Sequence, residues 1–145
     1  MADIIKLTSD EQEALQKLLK SEKLCYNDIN ESGVQLYGVK IKHVTVGYFG
    51  FEVFENNALF RSLLVQPDAR KRGYGTAIWQ AGKEKLAELG VNSVFLLTDI
   101  DTKDFFLKLG FEVFNREQVP SSIANTTEFK EFSPENSICM KTIIP

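Results

Sequence analysis

Cysteine and histidine are scarce in this chain: two thiols, Cys25 and Cys139, and one imidazole, His43, in 145 residues. Two isolated cysteines cannot build the disulfide framework of a small secreted domain, and no CxxC or mixed Cys/His spacing offers a ligand set, so no metal is expected. A hydrolytic triad would rest on His43 alone. That residue falls between two strand-like runs, where a solvated turn residue is the competing reading to a catalyst. A membrane-length apolar run and a signal-peptide core are also missing, so the expected location is the cytoplasm, with reduced thiols and no membrane partner. The formal net charge of -3 gives no general attraction to nucleic acid and argues against it as a partner. No internal repeat or low-complexity tract divides the sequence. Its length suits one domain, residues 1–145, able to bury about two-thirds of its surface without staples.

Positive charge is instead concentrated in one place. In LFRSLLVQPDARKRGYGT (Leu59 to Thr76) an apolar run suited to a buried strand enters a turn at Pro67. Arg70, Lys71, Arg72, Gly73, Tyr74, Gly75 and Thr76 follow, and a helical pattern begins at once. Glycines let backbone approach a ligand closely, the N–H groups and positive dipole end of the new helix face it, and the basic side chains add charge. That combination makes an anion site, with polyphosphate as its natural guest. It is not a Walker A loop, because no Gly-Lys-Ser/Thr ends it, nor a dinucleotide fingerprint, because Ile78 stands at the third glycine position. The alternative is a solvated basic turn between an ordinary strand and helix.

Along the chain, Ile4 to Leu7 reads as a first strand, and Thr8 or Ser9 starts a helix to about Ser21. Glu11 or Gln12 is its capping-box partner, and Ala14, Leu15, Leu18 and Leu19 are its apolar stripe. The segment from Glu22 to Gly33 is polar and turn-rich. From Val34 to Val65 the period changes to two, giving three antiparallel strands at about 34–41, 44–54 and 58–65. A two-residue type I′ turn at Asn56-Asn57 would pair Glu55 with Ala58 and, counting back, Glu52 with Arg61. A three-residue turn would place Arg61 opposite Phe51. Glu52 and Arg61 stand in otherwise apolar strands, where burial without pairing is costly. Ile78, Ala81, Gly82, Lys85, Leu86 and Leu89 then recur at helical spacing up to a stop at Gly90, with Trp79 half-buried. A parallel strand (Val91 to Thr98) follows, then a helix capped by Asp101 or Thr102 and ending at Gly110, and a strand from Phe111 to Asn115. An irregular connection over 116–135, with short helices near Ser121 to Asn125 and Thr127 to Phe132, leads to a closing strand near Ile138 to Ile143.

The spacing Arg70-x-x-Gly73-x-Gly75, preceded by Val65-x-Pro67, resembles the acyl-CoA pyrophosphate loop of the GNAT acetyltransferases. Asp104-Phe-Phe-Leu-Lys-Leu-Gly-Phe111 is similar to that family's helix-four motif, commonly LYxKxGF. The resemblance implies an α/β fold of the GNAT acyl-CoA N-acyltransferase type: a central, mostly antiparallel mixed sheet with a parallel pair splayed at the cofactor, flanked by helices. It implies acetyl-CoA as co-substrate, its pyrophosphate at residues 70–76 and its pantetheine and thioester at backbone N–H groups near Leu64 and Val65. More narrowly, LFRSLLV after Gly50 and Glu52, FLLT before FFLKLGF, and the tail VPSSIANTTEF…SPENSICMK resemble acetyltransferase-like proteins associated with arsenic-resistance operons. That subgroup often has Cys before the proline of the tail, where this chain has Ser133 before Pro134.

In such enzymes an acceptor amine attacks the thioester directly in a ternary complex, so the protein orients two substrates and manages protons. The implied reaction is acetyl transfer to the primary amine of a small polar molecule, by a monomer or homodimer. Glu52 is the best-placed acceptor of the amine's proton, and Tyr48, on the same face by period two, could assist; a purely structural ion pair is the other reading of Glu52. Arg61 would orient Glu52 or hold a substrate carboxylate, while Tyr26 and the 116–135 connection would border the acceptor. Where the family places a tyrosine to protonate the leaving thiolate, this chain has Phe106. The alternative function is therefore a non-catalytic acyl-CoA-binding sensor or partner module.

Overall fold

The structure, a computed structural model, describes residues 2–27, 33–69 and 73–145. Seven strands form one sheet: β1 (Ala2–Lys6), β2 (Gln35–Ile41), β3 (Val44–Phe54), β4 (Asn57–Val65), β5 (Ser93–Thr98), β6 (Glu112–Val113) and β7 (Ile138–Ile143), in the order β1-β2-β3-β4-β5-β7-β6. Among the described residues one pair is parallel, β4 with β5, over Asn57–Leu59 against Ser93–Phe95. Helices α1 (Ser9–Ser21), α2 (Tyr74–Glu88), α3 (Lys103–Lys108), α4 (Ser121–Ala124) and α5 (Thr127–Glu131) complete the mixed α/β architecture, which is the expected fold class. Among the described residues no helix is long and apolar enough to cross a membrane. The chain forms two compact units, Met1–Glu52 with Arg61–Lys85 and Val53–Phe60 with Leu86–Pro145.

In the first unit the alternation of β3 sends Tyr48, Gly50 and Glu52 to one face and Gly47, Phe49 and Phe51 to the other. Helix α1 covers the first of these. Its start is the expected capping box: the Thr8 hydroxyl accepts from the Glu11 N–H at 3.3 Å, and the Glu11 carboxylate accepts from the Thr8 N–H at 2.9 Å. The bond from the backbone, followed by that from the hydroxyl, holds the Glu11 carboxyl below its usual range. Leu15 and Leu19 are fully buried beside Leu7, Leu36 and Leu64. Ala14 is exposed, a correction to the expected stripe: it lies with Leu18 on the outer edge, where only the longer side chain reaches the core.

The other face is aromatic. Tyr37 stacks on Phe49 at 5.3 Å, and Lys85 of α2 lies 5.2 Å from the Tyr37 ring. Helix α2 buries Ile78, Leu86 and Trp79, the indole being only 1% exposed rather than half-buried as expected. Trp79 shares a helix face at i+3 and i+7 with buried Gly82 and Leu86, and burying so large a side chain removes the most apolar area from water. Leu89 is exposed because it follows the last residue of α2, just before the stop at Gly90 (φ 81°). A Cβ on Gly47 would run into the Leu64 carbonyl oxygen and Ile78 Cδ1, so glycine there lets β3 come close to β4 under α2.

The second unit has its own core of Leu59, Phe95, Ile123, Phe129 and Cys139. Helices α4 and α5 lie close to their expected places in the 116–135 connection, and one arginine organises it. Arg116 donates from Nη1 to Ser137 Oγ at 2.8 Å and from Nη2 to the Phe129 and Phe132 carbonyls, with its guanidinium 5.0 Å over the Phe129 ring. Burial pushes the Cys139 thiol up to about 11, against the opposing charge of Arg116, so it stays protonated. Thr102 precedes α3, but its side chain makes no cap bond to the helix. Asp99 Oδ1 instead accepts from the Thr102 N–H and hydroxyl, both at 2.9 Å, correcting the expected cap.

The turn between β3 and β4 also differs from expectation. It is Glu55-Asn56, with Glu55 at φ 57°, and not Asn56-Asn57. Two consecutive positive φ values, the mark of a type I′ turn, occur instead at Lys42 (53°) and His43 (68°), and His43 is exposed there. The reason for the shift is tertiary: the Asn56 carbonyl accepts from the N–H groups of Asn92 and Ser93, at 2.9 and 3.2 Å, and so anchors the entry to β5.

Candidate functional site

Strand β4 is where the predicted site residues meet. With Glu55-Asn56 as the turn, two-residue counting pairs Phe54 with Asn57 and sets Arg61 opposite Gly50, one step diagonal to Glu52. In agreement, a Cβ on Gly50 would lie 3.7 Å from Arg61 Cγ. The pairing of the two charges survives this change of register because diagonal neighbours share a face: Arg61 Nη1 donates to Glu52 Oε2 at 3.2 Å. Both residues are buried, at 8% exposure for Glu52 and 3% for Arg61. Arg61 Nε also donates to Ser62 Oγ at 3.2 Å, and Nη2 to the Cys25 carbonyl at 3.4 Å.

Beyond Arg61 the strand gains a residue. Ser62 has a left-handed φ of 58°, and the Gln66 N–H donates to the Val46 carbonyl at 2.8 Å, one residue out of step with Arg61 opposite Gly50. This is a β-bulge, which bends β4 and re-aims its end, where Leu64 is buried and Val65 half-buried. Tyr48 is half-buried, and its hydroxyl accepts from Gln66 Nε2 at 2.9 Å. Burial, then the negative charge of Glu11, raise the Tyr48 phenol above its usual value, with the Gln66 bond opposing. It therefore remains a neutral O–H donor. Tyr48 and Glu52 lie four residues apart on β3, about 13 Å at 3.3 Å per residue, too far to share one proton directly.

Strand β4 leads through a short 3-10 turn, Pro67–Ala69, towards α2. Arg70, Lys71 and Arg72 lie outside the described residues. Gly73 has φ 76° and open space where a Cβ would be, and α2 begins at Tyr74, so Tyr74, Gly75 and Thr76 form its first turn. Four N–H groups at such a helix start have no intrahelical acceptor, which suits an anion. Tyr26 is half-buried against the α1 cluster, and its carbonyl accepts from Gln16 Nε2 at 3.2 Å. In the second unit Phe106 is 7% exposed, packed edge-on against Phe105 and Phe111 at 5.1 and 5.6 Å. Among the described residues no group of His, Cys, Asp and Glu side chains could hold a metal ion. Sequence reasoning passed over Gln66 and the Cys25 carbonyl. Only the apolar setting of Arg61 hinted that it would need several acceptors.

The family model for the acetyltransferase (GNAT) domain matches residues 4–127. No curated protein is detectably similar in sequence. N-acetylglutamate synthase from Neisseria gonorrhoeae, complexed with coenzyme A and N-acetyl-glutamate, superposes with a TM-score of 0.79 at 17% identity, over 100% of this chain and 35% of that one. The chain thus spans about a third of that enzyme's length. A GNAT-family acetyltransferase from Staphylococcus aureus Mu50 gives 0.77 at 18% identity, covering 100% of both chains. The ribosomal-protein-S18-alanine N-acetyltransferase of Escherichia coli gives 0.71 at 17%, over 99% of this chain and 94% of that one. At these identities the likeness is one of fold.

Proposed function

Because the chain belongs to the GNAT acetyltransferase family, we propose that it transfers an acetyl group from acetyl-CoA to the primary amine of a small polar molecule, by direct attack in a ternary complex. The observation that carries this reading is the passage from the bulged end of β4 to Gly73, at its left-handed φ, and straight into α2. It supports an acyl-CoA site in which residues 70–76 take the pyrophosphate while the backbone at Leu64 and Val65 meets the pantetheine and thioester. The family match runs across both compact units, which supports treating residues 1–145 as one acetyltransferase domain. We place it in the cytoplasm, as a monomer or homodimer without a nucleic-acid or membrane partner.

Glu52 accepts the proton of the attacking amine, directly or through water, Arg61 orients it, and Tyr48 and Tyr26 contact the acceptor. The relative solved with N-acetyl-glutamate favours amino-acid-like acceptors, and the tail's resemblance to proteins of arsenic-resistance operons adds arsenical amino-acid analogues to them. The test is acetyl-CoA consumption with amino acids, their arsenical analogues, polyamines and peptides. Turnover with a small amine is expected; turnover with peptides alone would overturn the acceptor class. A second reading, a CoA-binding module without catalysis, is favoured by Phe106 and would show affinity with no turnover on any amine.

Phe106→Tyr adds one oxygen at the position of the family's phenol. It is expected to fold and to raise kcat severalfold by supplying an acid for the thiolate. An unchanged rate and pH profile would show that thiolate protonation does not limit turnover or that position 106 faces away from the sulfur.

A further inference from the structure

Arg61 was expected to orient Glu52 or to bind a substrate carboxylate, and the geometry separates these. Its side chain has no exposed surface. Three guanidinium nitrogens bond to three different places: Glu52 on β3, Ser62 beside it on β4, and the carbonyl of Cys25 in the chain that leaves α1. A ligand carboxylate has no access to such a group. The third bond ties the backbone of the chain that leaves α1 to β4, beside the packing of Leu24 and Tyr26 on the cluster of Leu36 and Leu64. Lys23 turns at φ 60°, the Leu24 N–H donates back to the Leu19 carbonyl at 2.9 Å, and Gln16 holds the Tyr26 carbonyl, so α1 fixes residues 24–26 from its side. Cys25, only 2% exposed, is bonded to β4 through its carbonyl, which accepts from Arg61 Nη2.

We infer that Arg61 is a positioning residue for acceptor recognition, holding the Cys25 backbone, and with it Tyr26, at a set distance from the Glu52 carboxylate. The inference rests on the proposed function, in which Tyr26 and Glu52 address the two ends of one acceptor. A planar guanidinium can serve a carboxylate and a carbonyl together; an ammonium at the end of a flexible stem cannot hold both in one geometry.

The test compares Arg61→Lys, which keeps the charge facing Glu52 but loses the fork, with the wild type. With the amine that the wild type turns over, Arg61→Lys should raise the acceptor KM by about tenfold, the weight of one charge-assisted hydrogen bond, leaving the acetyl-CoA KM unchanged. Amide exchange at Leu24 to Asn27 should quicken by a similar factor while that of β3 does not. A wild-type acceptor KM in Arg61→Lys, or equal loss of acceptor and acetyl-CoA binding, would overturn the inference. If the wild type turns over no amine, the proposed function fails first, and unchanged exchange at Leu24 to Asn27 would still overturn the tether. Should Arg61→Lys not fold, the double variant Arg61→Met/Glu52→Met removes both charges together and gives the same exchange reading.

Discussion

Gly73→Glu should abolish measurable binding of CoA without unfolding the protein. Two effects add. First, φ at Gly73 is 76°, a conformation that costs a residue with a Cβ about 1–2 kcal/mol, so relief of that strain would move the start of α2. Among the described residues other than its chain neighbours, no atom lies within 4 Å of the position a Cβ would take, so the new side chain meets no clash with them. Second, the new carboxylate sits one residue before α2, where the helix dipole and the basic residues of the loop are proposed to face pyrophosphate. Repulsion in place of attraction, on top of the strain, corresponds to a loss of about a hundredfold or more in affinity. Gly73→Ala carries only the first effect and should lose about tenfold, and charge reversal at Arg70 or Arg72 only the second. Calorimetric titration with CoA reads all of these, with thermal unfolding as the check on folding. Wild-type affinity in Gly73→Glu would remove the loop from the site.

How far the sequence reaches can be judged from individual residues. Thr8 and Glu11 form the box that their spacing announces, because a capping box is a local exchange of hydrogen bonds needing nothing distant. The Glu52–Arg61 pair was legible for an energetic reason, two charges in apolar strands, although the expected turn was one residue off and the register therefore two, which keeps both side chains on one face. The error came from reading Asn56-Asn57 by local preference, when the Asn56 carbonyl is committed to the entry of β5. Trp79 went wrong in the same way: helical spacing shows which residues share a face, but not how deeply the sheet receives them. The bulge had no signal at all, since serine has no marked preference for the conformation that Ser62 adopts. The Cys25 carbonyl is backbone, so its bond to Arg61 cannot be written in a side-chain pattern.

Glu52→Gln carries the second large effect. Glutamine keeps the size of the side chain and one oxygen for Arg61 Nη1, but it can no longer take a proton from an amine. At neutral pH an alkylamine is almost wholly protonated, so loss of the base should lower kcat/KM for the acceptor by about a hundredfold. CoA affinity should stay within about twofold, because the proposed CoA loop and Glu52 are separate parts of the first unit. The sign of the pH dependence follows from the same chemistry. With an ionised base in place to take the amine's proton, wild-type activity should reach a plateau on the alkaline side of its profile. The variant should instead keep climbing as solution deprotonates the amine, and the gap between the two should narrow towards alkaline pH. Stability gives an independent readout: Arg61 has no exposed side-chain surface, and losing its counter-charge should cost up to about 3 kcal/mol and lower the unfolding temperature by several degrees. A purely structural pair would show that loss of stability with no loss of rate. A folded Glu52→Gln variant with full activity from about pH 6 to about pH 9 would therefore leave the ion pair as a clamp between β3 and β4 and send the search for the base elsewhere.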